Sequence, residues 1–143
     1  MHDCVFCAIG SGDVDPDLVA RVSDRVFVLP PLRQRPMNRG HALVLPVAHV
    51  RNLHDAQADL RNDILAVVAQ LTRAFPALYG AVGSYVFQHN VEPDDRPFHL
   101  HVHAVPRFPG DNFAEPDSAV AEVPRAERLA QAAVLRDLLG GAQ

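Results

Sequence analysis

Three histidines stand at every second position in the run FHLHVHAVPR: His99, His101 and His103. In a β-strand, residues two apart share a face. A strand here lines up three imidazoles on one side and Phe98, Leu100, Val102 and Ala104 on the other, which suits a core. A row of rings on a rigid element is a platform for a metal or for nucleophilic chemistry. A neutral imidazole can attack phosphorus and form a covalent intermediate. Its attacking nitrogen must be unprotonated, so the other nitrogen must donate its hydrogen to a carbonyl or similar acceptor. His41, in the tripeptide RGH, brings a further ring from another segment. The alternative is the polar face of an edge strand, but three of the chain's eight histidines in register favour function.

Cys4 and Cys7 form a Cys-x-x-Cys pair and are the chain's two cysteines. A redox pair of the thioredoxin type needs a βαβ setting, and no strand is expected before this one. Half of a tetrahedral zinc site is the preferred reading, completed by two histidines. His49 and one member of the histidine row are the candidates; two buried, inert thiols are the alternative. All 13 basic residues are arginine. The absence of lysine excludes a P-loop lysine, a Schiff-base lysine and a kinase-type lysine. Any phosphate must be handled by Arg, His and backbone N–H groups. The net charge of −4 gives no global basic field, so no DNA or RNA polymer is expected as partner.

The elements that must position these residues follow from periodicity. With 143 residues, 48% of them apolar, the chain reads as a single domain. Residues 10–17 are turn-rich, and LVARVSDRVFVLP reads as two short strands. PPLRQRPMNRG reads as a loop and HALVLPV as a buried strand. Leu60, Ile64, Val67, Val68, Leu71, Phe75 and Leu78 recur at three- and four-residue steps, which predicts a long helix ending near Pro76 and Gly80. GSYVFQHN is a strand, VEPDDRP a polar loop, and the histidine strand follows. Residues 109–124 form an extended connection. Residues 125–139 form a closing helix with Leu129, Ala133, Leu135, Leu138 and Leu139 on its stripe. The order predicts an α+β domain: an antiparallel sheet with one long central helix and a C-terminal helix. No apolar run approaches membrane-spanning length, and residues 1–17 lack the features of a secretory signal, so a cytoplasmic protein is expected.

The run HLHVHAV fits the pattern His-φ-His-φ-His-φ-φ, where φ is apolar, and so resembles the histidine triad family. CVFCAI, GHALVLPVAH and HLHVHAVPR occur in that family's order, and the resemblance covers roughly residues 4–108. It implies an α+β fold, usually paired as a homodimer, and a nucleotide or dinucleotide substrate attacked at the α-phosphorus. By this resemblance His101 is the nucleophile that forms a nucleotidyl-histidine. His103 contacts the α-phosphate, and His41 lines the phosphate site. Cys4, Cys7, His49 and His99 hold a structural zinc. Val5, Phe6 and Leu29 lie near the base pocket, although plain core accounts for them equally well.

Two departures bear on substrate choice. The family's ribose-binding acid, some eight residues before the His matching His41, is replaced by Arg33, or by Pro31 if the loop is two residues longer. No Asp or Glu occurs from Arg25 through His54. The family's Gly-Gln-Ser/Thr loop is replaced by NVEPDDRPF, in which Asn90 fits a family Asn and Arg96 stands where a small polar residue is usual. Arg33, Arg35 and Arg39 suggest an anionic ligand such as a dinucleoside polyphosphate. The expected function is therefore hydrolysis of a dinucleoside polyphosphate or nucleoside phosphoramidate. The alternatives are a zinc-stabilised nucleotide-binding protein without turnover, and a nucleotidyltransferase sharing the first step. A metal-dependent hydrolase is disfavoured because no His-x-His-x-Asp run occurs.

Overall fold

Residues 26–29 and 42–46 are apolar throughout, and in the computed structural model, which describes residues 4–90, 98–113 and 120–140, they form two fully buried strands. These are β2 (Val26–Leu29) and β4 (Ala42–Pro46). With β1 (Ala20–Arg21), β5 (Gly83–Phe87) and β6 (Val102–Arg107) they make a five-stranded sheet in the order β1-β2-β4-β6-β5. Every pairing in it is antiparallel, as expected.

Each face of the sheet has its own cover. Ala42, Val44, Val102 and Ala104 face the long helix α2 (Ala58–Tyr79), which buries Leu60, Ile64, Val67, Val68, Leu71 and Phe75 against them. The stripe's last predicted member, Leu78, is 38% exposed, and Pro76 lies inside the helix rather than ending it. The other face carries Phe27, Leu29, Leu43 and Leu45 and is covered in part by a helix the sequence did not predict, α1 (Val5–Ser11), through Ile9 and Phe6. Seven residues are too few to hold a helix in water by themselves; here packing does it. Gly10 permits the approach, since a Cβ there would stand 2.8 Å from the Phe27 ring.

The histidine run departs from the expected continuous strand. β6 begins at Val102, so His103 lies in the ladder while His99 and His101 lie on the approach to it. The stretches read as a loop and as an extended connection contain a second, two-stranded sheet. There β3 (Arg33–Gln34) pairs with β7 (Ala121–Glu122). The closing helix α3 (Arg125–Leu139) has the expected bounds but a shifted face. Gln131, Ala132, Leu135 and Leu139 are buried, and Ala133 faces solvent. Gln131 can be buried because its side-chain amide exchanges hydrogen bonds with that of the buried Gln34, at 2.8 and 3.1 Å.

Candidate active site

Sheet register assembles the site. Leu29 pairs with Leu43, Leu43 with His103, and His103 with Phe87, which makes one row across β2, β4, β6 and β5. The half of this row that α1 covers is apolar. The uncovered half carries the imidazole. Phe87 stacks on His103 with ring centroids 4.1 Å apart and planes 7° apart. His41, on the residue before β4, places Nε2 2.9 Å from His103 Nδ1. Burial holds both rings neutral: it pulls His41 down to about 4 and His103 to about 2, with the neighbouring imidazoles adding to the effect.

His101 has the geometry a nucleophile needs. Its Nδ1 is 2.8 Å from the carbonyl oxygen of His99. A carbonyl only accepts, so Nδ1 carries the hydrogen and Nε2 keeps its lone pair. Burial lowers the ring's basicity, and the His99 carbonyl opposes that. Its ring lies 5.0 Å from that of His103 and 5.4 Å from that of Phe6.

His99 points elsewhere. It is 1% exposed, and its Nε2–H donates to the Pro46 carbonyl at 2.8 Å. Its Nδ1 is thereby turned to the sulfurs of Cys4 and Cys7, at 3.4 and 3.6 Å. His49 Nδ1 stands 3.3 Å from the Cys7 sulfur. The four donor atoms all lie within 4.8 Å of one another. A tetrahedron with Zn–S of about 2.3 Å and Zn–N of about 2.0 Å has edges of roughly 3.3–3.8 Å, so the donor set and its spacing fit zinc. Burial, with Cys4 alongside, pushes the Cys7 thiol up to about 11. A coordinated dication reverses that preference by favouring the thiolate.

The remaining sequence candidates fall in different places. Val5 opens α1 and is 57% exposed; Phe6 packs on His99 and His101; Leu29 is buried in the row with Leu43 and His103. Asn90 accepts the Leu53 N–H at 2.9 Å and the Gln88 amide at 2.8 Å, which ties the end of the β5 segment to a 3-10 turn. Arg33 is exposed on β3 opposite Glu122, Arg35 lies over the Phe113 ring, and Arg39 pairs with Glu127 of α3. Arg96 lies outside the described residues. One residue at the site was missed: His89, whose ring is 6.0 Å from that of His103. Its signal was available, because Tyr85, Phe87 and His89 share the parity of one strand face.

The family model of the HIT domain matches residues 16–110. Protein hit of Bacillus subtilis is 30% identical over 114 residues, 78% of this chain and 77% of the relative. The adenosine 5'-monophosphoramidase hnt1 of Schizosaccharomyces pombe is 30% identical over 105 residues, 73% of this chain and 74% of the relative. Among solved structures, a Zn-bound histidine triad family protein from Mycobacterium smegmatis is similar with a TM-score of 0.73 at 29% identity, covering 98% of this chain and 95% of that one.

Proposed function

Because this chain belongs to the histidine triad (HIT) family, we propose that it is a nucleotide hydrolase that works through a nucleotidyl-histidine on His101. The observation that carries the reading is the hydrogen bond from His101 Nδ1 to the His99 carbonyl, which leaves Nε2 as the attacking atom. Nε2 forms a bond to the α-phosphorus while the bond to the leaving group breaks. Water then releases the nucleotide and restores the ring. His41 and His103 are hydrogen-bonded to each other, so the neutral pair keeps one outward N–H, which donates to a phosphoryl oxygen. The nucleoside lies toward the end of the row that α1 covers, beside Leu29 and Phe6.

Cys4, Cys7, His49 and His99 hold a structural zinc in this reading, supported by their donor spacing and by the Zn-bound relative. Its chemistry is confined to fixing those four side chains. Pairing into a homodimer across β5 is supported by that strand's place at the sheet edge and by exposed Tyr85, Val86 and the preceding Val82. No helix among the described residues is long and apolar enough to cross a membrane, and the cytoplasm is the compartment we assign.

For the substrate, adenosine 5'-phosphoramidates and dinucleoside polyphosphates are the two classes. The name of the hnt1 relative favours the former. So does the engagement of Arg39 with Glu127 and of Arg35 with Phe113, which turns those two arginines of the 33–39 segment to other partners. Binding without turnover is the second reading, favoured by the lack of an acid between Arg25 and His54 to hold a ribose. The experiment is turnover of both substrate classes by the wild type and by His101→Ala, with folding checked by circular dichroism. Loss of turnover and of a trapped nucleotidyl-protein in the folded variant is expected. Equal turnover by the two proteins would sink the mechanism, and no turnover by a folded, metal-loaded wild type would leave binding alone.

A further inference from the structure

A displacement at phosphorus needs more than a nucleophile when the leaving group is an amine. An alkylamide anion is far too basic to depart, so the leaving nitrogen must take a proton as its bond to phosphorus breaks. The three rings already described are poor sources. His41 and His103 are held neutral by burial, and His101 is spent on the attack. The pre-triad stretch has no Gly-Gln-Ser/Thr sequence to supply donors.

The geometry points to His89 as the general acid for the leaving group, and this rests on the nucleotidyl-histidine reading above. His89 lies two residues beyond β5 and is exposed to water, so it exchanges protons with solvent. Histidine is the side chain whose charge changes most readily near neutral pH. Its ring stands nearly perpendicular to both members of the Phe87–His103 stack. The centroid distances are 5.5 Å and 6.0 Å, and the interplanar angles 78° and 85°. It therefore borders the ring that flanks the nucleophile, on the side where β5 rather than α1 forms the wall. Its backbone is held there. The Gln88 amide donates to the His89 carbonyl at 2.6 Å and to Asn90 Oδ1 at 2.8 Å, and Asn90 Oδ1 also takes the Leu53 N–H. The imidazole it borders is His103, with His101 next beyond at a centroid distance of 5.0 Å, and β5 contributes the uncharged Phe87.

The step balances. His101 Nε2 forms its bond to phosphorus as the phosphorus–nitrogen bond breaks. The bonding pair goes to nitrogen, which takes the proton from the His89 imidazolium. In the second half, water attacks phosphorus, the bond to His101 breaks, and neutral His89 takes the proton that water loses. The enzyme returns to its starting state, with one water consumed.

The test compares two substrates that differ in their need for that proton. One is an adenosine 5'-phosphoramidate of an alkylamine; the other is the 4-nitrophenyl ester of adenosine 5'-phosphate, whose phenolate leaves unassisted. Leaving-group release is followed before steady state for the wild type, His89→Ala and His89→Gln. The exposed position makes both variants foldable, and circular dichroism checks it. Amine release should fall about 100-fold in both variants, and nitrophenolate release by less than about threefold. An equal loss with both substrates would make His89 a structural residue, and undiminished amine release would remove it from the reaction; either result overturns the assignment. Failure of the wild type to turn over either substrate would instead sink the underlying reading, and the role of His89 with it.

Discussion

Gly40 precedes His41, and its replacement by alanine combines two costs that the structure separates. Its φ is +109°, a conformation that alanine adopts only under strain of about 1–3 kcal/mol. A Cβ there would also lie 2.6 Å from Cε2 of Tyr79 and 2.9 Å from Cδ2 and Cζ. The Tyr79 ring is packed against the core beside Phe75, with centroids 5.9 Å apart, so it yields only by disturbing that contact. Overpacking of this kind costs about 1–3 kcal/mol. The sum, about 2–6 kcal/mol, is a large share of the ~5–15 kcal/mol that stabilises a typical domain. Urea unfolding of Gly40→Ala measures the total. A double-mutant cycle with Tyr79→Ala then separates the parts, because removing the ring relieves the clash and leaves the backbone strain. The expected coupling is about 1–3 kcal/mol, with a residual loss that the second substitution does not recover. Activity should fall too, since any shift of His41 breaks its 2.9 Å contact with His103. A Gly40→Ala protein within about 0.5 kcal/mol of wild type, or a cycle with no coupling to Tyr79, would refute the reasoning.

Two further predictions concern stability. The Asp111 side chain is 3% exposed and accepts from Arg107 at 2.7 and 3.0 Å, from the Asn38 amide at 2.9 Å and from the Phe108 N–H at 2.9 Å. The Arg107 guanidinium holds its carboxyl well below the usual range, so its contribution is complete above the unfolded value near 3.8 and is lost as the pH falls below that toward the folded value. Asp111→Asn should cost about 2–4 kcal/mol at pH 7 in urea unfolding and flatten the acid side of the stability profile; a variant whose stability still falls as steeply below pH 4 as that of the wild type would contradict this. The purified protein should carry about one zinc per chain by atomic absorption, and Cys7→Ser should lower the occupancy and also lower the thermal midpoint by more than about 3 °C, the shift that roughly 1 kcal/mol gives a domain of this size; full occupancy in the variant would remove Cys7 from the ligand set.

What the sequence made legible was whatever a local period encodes. The stripe from Leu60 to Phe75 gave α2, and the bounds of α3 came from its own run. The face of α3 did not, because Gln131 is buried by its amide pairing with Gln34, a partner in another segment that no helical period reveals. The β3–β7 ladder escaped for the same reason: two residues on each side carry no alternation, and only the fold brings Arg33 opposite Glu122. α1 was hidden by its composition, since Val5, Phe6 and Cys7 are weak helix formers and the element forms by lying on Phe27. At the site, the residue types and the triad spacing pointed to imidazole chemistry. The parity shared by Tyr85, Phe87 and His89 carried the signal of the fourth ring, whereas the hydrogen bond that places the hydrogen of His101 on Nδ1 arises only in the fold.

The late start of β6 changes what must hold His101 in place. Had the strand run through residue 98, ladder hydrogen bonds would have fixed His99 and His101 as they fix His103. Instead the approach is secured by the Leu100 N–H, which donates to the Val50 carbonyl at 2.7 Å, and by the two nitrogens of His99. One nitrogen anchors on the Pro46 carbonyl at the end of β4; the other faces the sulfurs of the N-terminal segment. The carbonyl of this same residue is the acceptor that sets the tautomer of His101. In the proposed mechanism a bond at His99 Nδ1 would bear on catalysis without taking part in it, by holding the peptide whose oxygen selects the attacking nitrogen. On that proposal the Cys-x-x-Cys pair and the triad are two ends of one positioning device, and the absence of strand structure at His99 and His101 is the reason the device is needed.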